Sequence, residues 1–178
     1  MLVGWEHFRI VPGFTATNDL DLYDMPWTHS LAAALVWSAV AALVAWRVWN
    51  ARSALVVAIA VFSRWLLDLL VHAGDLTLAG NDTAHVGFGL WNHPTIEIAV
   101  EISTVIVGGV IASRAVGEAR RRVLGLTALL VAFAIIERVM PSPASVTQLV
   151  LSAFASYVVL ALAAWWAERG QKLRAIGA

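Results

Sequence analysis

The chain contains no cysteine among its 178 residues. This absence excludes disulfide bonds, thiolate nucleophiles and zinc sites with cysteine ligands, so a metal would have to use histidine, aspartate and glutamate. Charged residues are also scarce: they make up 13% of the chain, and the formal net charge is zero. Because no basic patch is interleaved with aromatic side chains, nucleic acid is not expected as a partner.

Hydrophobic residues, by contrast, make up 60% of the chain. A soluble domain of this length needs more polar surface to cover its core. Five segments reach the length of about 20 apolar residues that crosses a bilayer core. They lie near 30–49, 53–72, 94–115, 122–140 and 144–167. The sequence therefore predicts an all-α fold, a polytopic membrane helical bundle that forms one domain over 1–178 and has membrane lipids as partners.

Basic residues concentrate at one set of helix ends. They are Arg47, Arg52, Arg114, Arg120, Arg121, Arg122, Arg169, Lys172 and Arg174. By the positive-inside rule these ends face the cytoplasm. The amino-terminal arm, 1–29, and the loop 73–93 are then expected outside, and the tail 168–178 inside.

The loop 73–93 is longer than most connections between helices and contains four glycines. Connections of this length are more often functional than idle. Two interpretations remain open from sequence: a lid over the outer end of the bundle, or a loosely ordered outer loop.

A polar stripe lies inside the second apolar segment, where Arg64, Asp68 and His72 are spaced four residues apart. At this spacing three side chains share one face of a helix. A second stripe, Glu97 and Glu101, opens the third segment. Ionisable groups at membrane depth are costly and usually face a protein interior or a water-filled cavity. These two stripes are therefore the candidate functional site.

The predicted topology brings further residues to the outer side of this site. His29 precedes the first helix and His93 precedes the third, so both are expected near Asp68 and His72. Three imidazoles and a carboxylate are suitable ligands for zinc or manganese. A bound cation would generate a hydroxide nucleophile, and Glu97 or Glu101 would then act as general base.

A structural interpretation explains the same residues without chemistry. Arg64 cannot lose its charge, so inside a bilayer it needs a carboxylate, which Asp68 or Glu101 can supply. In that case the chain is a non-catalytic scaffold or subunit, with a second copy or another membrane protein as partner. A transporter is less favoured, because the polar residues stop about halfway through the bilayer.

Three segments resemble the YdjM-like family of bacterial inner-membrane proteins, which are metal-dependent hydrolases by their motifs. They are THSL at 28–31, SRWLLDLLVHAGDLTL at 63–78 and GLWNHP at 89–94, and the likeness extends to PSPASVTQL at 141–149. His29 matches the family's THS motif, and Asp68 matches the aspartate of its HxxxD motif. The histidine of that second motif is replaced by Arg64, and a further amino-terminal helix of the family is expected to be missing here.

This resemblance implies a hydrolase at the outer face of the bacterial inner membrane. Its substrate would be lipid-like, an ester or a phosphoester. The arginine at position 64 opposes that implication, because it cannot ligate a cation and would repel one.

Overall fold

The computed structural model describes residues 5–141 and 143–169, and about 67% of these described residues are helical. Five long helices account for most of this content. They are α1 (Leu31–Val48), α2 (Ala51–Val71), α3 (Pro94–Ala115), α4 (Arg120–Val139) and α5 (Val146–Glu168). The predicted all-α helical bundle is confirmed. The end of the predicted tail, from 170 onwards, lies outside the described residues.

Among the residues that the structure describes, four of the five long helices, α1, α2, α3 and α5, are long and apolar enough to cross a membrane. These four helices support a multi-pass membrane protein. The fourth predicted segment, 122–140, also forms a helix, but its composition is more polar. Arg120–Arg122 open α4, and Glu137 and Arg138 lie near its end.

Two small antiparallel hairpins lie in segments for which the sequence predicted no strand. The first pairs β1 (His7–Ile10) with β2 (Leu20–Asp24) in the amino-terminal arm. The second pairs β3 (Leu76–Thr77) with β4 (His85–Val86) in the loop between α2 and α3. These strands are two to five residues long, too short for an alternating pattern to stand out in the sequence.

Helices α1 and α2 pack against each other as neighbours joined by a tight turn. The hydroxyl of Ser30 accepts the Ala33 N–H at the start of α1, and the Asn50 side chain accepts the Ser53 N–H at the start of α2. Such caps satisfy backbone donors that have no partner within the helix. Because the turn reverses the chain, the start of α1 lies beside the end of α2.

The contacts divide the chain into two compact units, with the boundary between Glu97 and Ile98. In the second unit α4 packs against α5, and Gly109 of α3 lies so close to Thr127 of α4 that a larger side chain would collide there. Arg122 also donates to backbone carbonyls at the end of α5. In the same unit a guanidinium nitrogen of Arg138 lies 3.9 Å from the carboxylate of Glu101.

The loop between α2 and α3 is hydrogen-bonded to the end of α2. The N–H of Phe88 donates to Leu69 O at 2.9 Å, and the N–H of Gly89 donates to His72 O at 2.6 Å. Gly87, the residue before Phe88, passes so close to the His72 carbonyl that no side chain fits there. The segment 87–89, which follows β4, thus fixes the backbone of His72.

Replacing Gly87 by alanine should destabilise the first unit. The added Cβ would collide with the backbone of His72, so the segment 87–89 must shift, which costs about 1–3 kcal/mol. Tryptophan fluorescence during thermal unfolding in detergent measures the loss. Gly80→Ala is the matched control, because a Cβ at Gly80 meets nothing within 4 Å. Equal melting temperatures for the two variants would contradict the close approach.

Candidate functional site

A cluster of five ionisable side chains lies where α1 begins and α2 ends. It consists of His29, Arg64, Asp68, His72 and Asp75, and is called the polar cluster below. Arg64 and Asp68 lie on one face of α2, while His72 follows the last residue of that helix. His29 stands two residues before α1, so the tight α1–α2 turn brings it beside Arg64.

The guanidinium of Arg64 bridges the start of α1 and the body of α2. Nη1 donates to the backbone oxygen of Thr28 at 2.9 Å, and Nη2 lies 3.0 Å from Nε2 of His29. Nη1 also lies 3.6 Å from Oδ2 of Asp68. Arginine has no acceptor, so Nε2 of His29 must accept the bond. The guanidinium therefore occupies the space between His29 and Asp68, with its side chain 56% exposed.

His29 is a neutral imidazole in this setting. Burial, together with the nearby charge of Arg64, lowers the pKa of His29 to about 3. Its other ring nitrogen, Nδ1, lies 2.7 Å from the hydroxyl oxygen of Thr28. Both ring nitrogens thus have partners within the first unit.

His72 is the most deeply buried member of the polar cluster, with 2% of its surface exposed. Its Nδ1 lies 3.0 Å from Oδ1 of Asp75. The ring packs against Trp91 with centroids 4.4 Å apart, and its centroid lies 6.0 Å from that of His29. Burial alone would raise the pKa of Asp75, but the hydrogen bond and the charge of His72 lower it below its ordinary value.

Two carboxylate oxygens of the polar cluster retain bonding capacity. Oδ2 of Asp68 and Oδ2 of Asp75 are buried and have no hydrogen-bond partner within the described residues. Buried polar oxygens of this kind are uncommon and call for an explanation. For Asp68 the explanation is the charge of Arg64 at 3.6 Å.

The other predicted site residues lie in different settings. The His93 side chain is exposed, and its backbone oxygen accepts the N–H of Glu97 at 2.9 Å. The Glu97 side chain is buried. Glu101 belongs to the second unit, where its carboxylate lies 3.9 Å from Arg138.

The predicted metal site receives no support from this geometry. Within residues 5–141 and 143–169, no group of three or more histidine, aspartate or glutamate side chains is arranged to hold a metal ion. The ligand set of His29, Asp68, His72 and His93 therefore stays a prediction.

Sequence reasoning did not assign four residues that complete the arrangement: Glu6, Thr28, Asp75 and Trp91. Asp75 follows His72 by three residues, and this spacing is a local signal for a histidine–carboxylate contact. Glu6 and Trp91 are brought to the cluster by the hairpin and the loop, whose paths no pattern in the sequence indicates.

The fold and the polar cluster together define the class of protein: a multi-pass membrane protein with an arginine-centred cluster at one end of a helix pair. Comparisons with protein-family models, curated proteins and solved structures found no match to the chain. The resemblance to the YdjM-like family accordingly depends on the quoted motifs alone.

The neutral state of His29 predicts a pH dependence of stability. In the unfolded chain His29 takes up a proton near its ordinary pKa of 6.5, whereas in the folded chain it stays neutral down to about 3. The contribution of the neutral His29 to the free energy of unfolding is therefore complete above about pH 6.5, and it is lost as the pH falls toward 3. By about pH 5 the loss is on the order of 1–2 kcal/mol.

Thermal unfolding in detergent between about pH 7 and about pH 5 checks this, because most carboxylates titrate below that window. The variant His29→Gln should lose part of the slope of the wild-type chain. Equal slopes for the two proteins would contradict a neutral, desolvated imidazole at this position.

Proposed function

We propose that this chain is a non-catalytic membrane scaffold or subunit whose polar cluster is closed by Arg64 instead of a metal ion. The observation that carries the proposal is the position of the guanidinium. It contacts Nε2 of His29 at 3.0 Å and lies 3.6 Å from Oδ2 of Asp68. These two atoms are the ligands that His29 and Asp68 would supply to a divalent cation in the predicted metal site.

Arginine and a metal ion exclude each other in this space. The guanidinium keeps its charge at all accessible pH values, so it repels a second cation at ligand distance. It also uses the lone pair of His29 Nε2, which is the atom of a neutral imidazole that binds metal. The bridge ties the segment before α1 to α2, which is a structural role.

A metal-dependent hydrolase acting on a lipid-like, ester or phosphoester substrate is the second candidate. It is favoured by the acceptor beside each imidazole: Thr28 Oγ1 lies 2.7 Å from Nδ1 of His29, and Asp75 Oδ1 lies 3.0 Å from Nδ1 of His72. Metal-binding histidines usually donate the other ring N–H to such an acceptor. In this candidate His29, Asp68 and His72 bind zinc or manganese, and the buried Glu97 is the general base.

Elemental analysis of the detergent-purified protein separates the two candidates. For the scaffold we expect less than about a tenth of an equivalent of zinc or manganese, unchanged by Asp68→Asn. About one equivalent that disappears in Asp68→Asn would overturn the scaffold and support the hydrolase.

A gain-of-binding variant tests why metal is excluded. Arg64→His removes the fixed charge and adds an imidazole beside His29 and Asp68, so we expect zinc binding to appear, at about one equivalent per chain. Arg52→His, at the opposite end of α2, is the matched control and should bind none. Equal zinc contents in the two variants would show that Arg64 is not what excludes the metal.

The proposed location is the bacterial inner membrane, with the amino terminus outside and the carboxyl terminus in the cytoplasm. The exposed arginines of the α3–α4 connection, Arg114, Arg120 and Arg121, support this orientation, as does Arg47 near the α1–α2 turn. The polar cluster would then face the outer side of the membrane.

Because the chain has no cysteine, a single introduced thiol reports its own side of the membrane. Asp82→Cys, in the exposed tip of the β3–β4 hairpin, should react with a membrane-impermeant maleimide in intact spheroplasts. Ala51→Cys, at the exposed first residue of α2, should react only after permeabilisation. The reverse pattern would show that the orientation is inverted.

A further inference from the structure

Glu6 is a buried carboxylate with an unusual number of donors around it. It directly precedes β1, and 8% of its surface is exposed. Oε1 accepts the backbone N–H groups of Trp27 and Thr28, each at 2.8 Å. The Thr28 hydroxyl lies 3.0 Å from Oε1 and 2.9 Å from Oε2. The carboxylate thus holds the segment immediately before His29.

The direction of each hydrogen bond from Glu6 to Arg64 is fixed by the donors available. Arg64 can only donate, so Nε2 of His29, at 3.0 Å, carries a lone pair and no proton. In a neutral ring the proton is then on Nδ1, which donates to the Thr28 oxygen at 2.7 Å. Since that oxygen is already an acceptor for His29, its own hydrogen points to Glu6.

We propose that Glu6 is a positioning residue that holds His29 in the Nδ1–H tautomer through the Thr28 hydroxyl. The consequence is a preformed Lewis base, Nε2, aimed at whatever cation occupies the polar cluster. In this chain that cation is Arg64, so the inference rests on the proposed function in this one respect.

The arrangement is electrostatically consistent along its length. A carboxylate stands at one end, a guanidinium at the other, and the hydroxyl and imidazole between them are oriented by both charges. Hydrogen bonds in such a chain polarise one another, so each strengthens the next. The lowered pKa of His29 agrees with a neutral ring between these partners.

Nitrogen NMR of the full chain, labelled with ¹⁵N-histidine and held in detergent at neutral pH, measures the tautomer directly. His29 is assigned by the signals missing in His29→Gln. We expect a protonated Nδ1 and an unprotonated Nε2 for His29 in the wild-type chain. A protonated Nε2 would overturn the proposal at once.

Two variants of Thr28 identify the relay. Thr28→Val keeps the shape and removes the acceptor, so the fraction of His29 in the Nδ1–H tautomer should fall, with Arg64 alone left to favour it. Thr28→Ser should retain the wild-type tautomer. Thr17→Val is the matched control, because the Thr17 hydroxyl donates to the Trp91 backbone at 3.1 Å but contacts no member of the relay. A wild-type tautomer in Thr28→Val would refute the role of the hydroxyl.

Glu6→Gln gives a second reading that does not depend on Thr28 variants folding. A glutamine amide can donate to the Thr28 oxygen, which frees the hydroxyl to donate to His29 and removes the preference for Nδ1–H. We expect a mixed tautomer, because the hydroxyl then competes with Arg64, which still donates to Nε2, and a neutral ring accepts at only one nitrogen. An unchanged tautomer in Glu6→Gln would remove Glu6 from the relay.

Arg64→Met separates this inference from the proposed function. With Glu6 and Thr28 in place, Nδ1–H should persist in this variant, since the acceptor for it remains. If Nδ1–H is lost there but retained in Glu6→Gln, then Arg64 alone sets the tautomer. The relay would fail in that case, while the structural role of Arg64 would stand.

Discussion

The guanidinium of Arg64 is the constraint on which the rest of the first unit depends. A permanent charge on an apolar helix is costly unless acceptors surround it. The chain supplies three: Thr28 O and His29 Nε2 from the start of α1, and the Asp68 carboxylate one turn along α2. His29 is in turn restricted to its neutral form, because its Nε2 can accept a hydrogen bond only when that nitrogen carries no proton.

The two hairpins position this cluster. Glu6, at the edge of the first hairpin, holds the backbone and hydroxyl of Thr28. The second hairpin returns past the end of α2, where Gly87 allows close approach to His72. Beyond it, Trp91 covers the His72 ring at a centroid distance of 4.4 Å. The hairpins and the segments beside them therefore determine the geometry of the polar cluster, although they lie outside the apolar helices.

The helices could be predicted from sequence because hydrophobic length is a strong signal. The third predicted segment, 94–115, has the bounds of α3, and the fifth, 144–167, agrees with α5 to within two residues at each end. The four short strands were missed, because segments of two to five residues carry no readable periodicity. A membrane-spanning helix is predicted at 122–140 as well, and a helix forms there, but its charges set α4 apart from the four described helices that are apolar enough to cross a membrane.

The candidate site was predictable where helical geometry alone determines it. The shared face of Arg64 and Asp68 follows from their spacing, and the approach of His29 follows from two helices joined by a tight turn. The contact between Glu6 and Thr28 spans 22 residues and depends on the path of a hairpin. No local pattern encodes that path, which is why sequence reasoning missed the hydrogen bonds that Glu6 accepts from Thr28.

The coupling between Arg64 and Asp68 tests the central claim most directly. Unfolding free energies of Arg64→Met, Asp68→Leu and the double variant form a thermodynamic cycle in detergent. Each single change leaves one charge uncompensated, so we predict a double variant more stable than the sum of the single losses implies, by about 0.5–3 kcal/mol. Additive losses would contradict the account, because they would show that the guanidinium does not stabilise the cluster through this carboxylate.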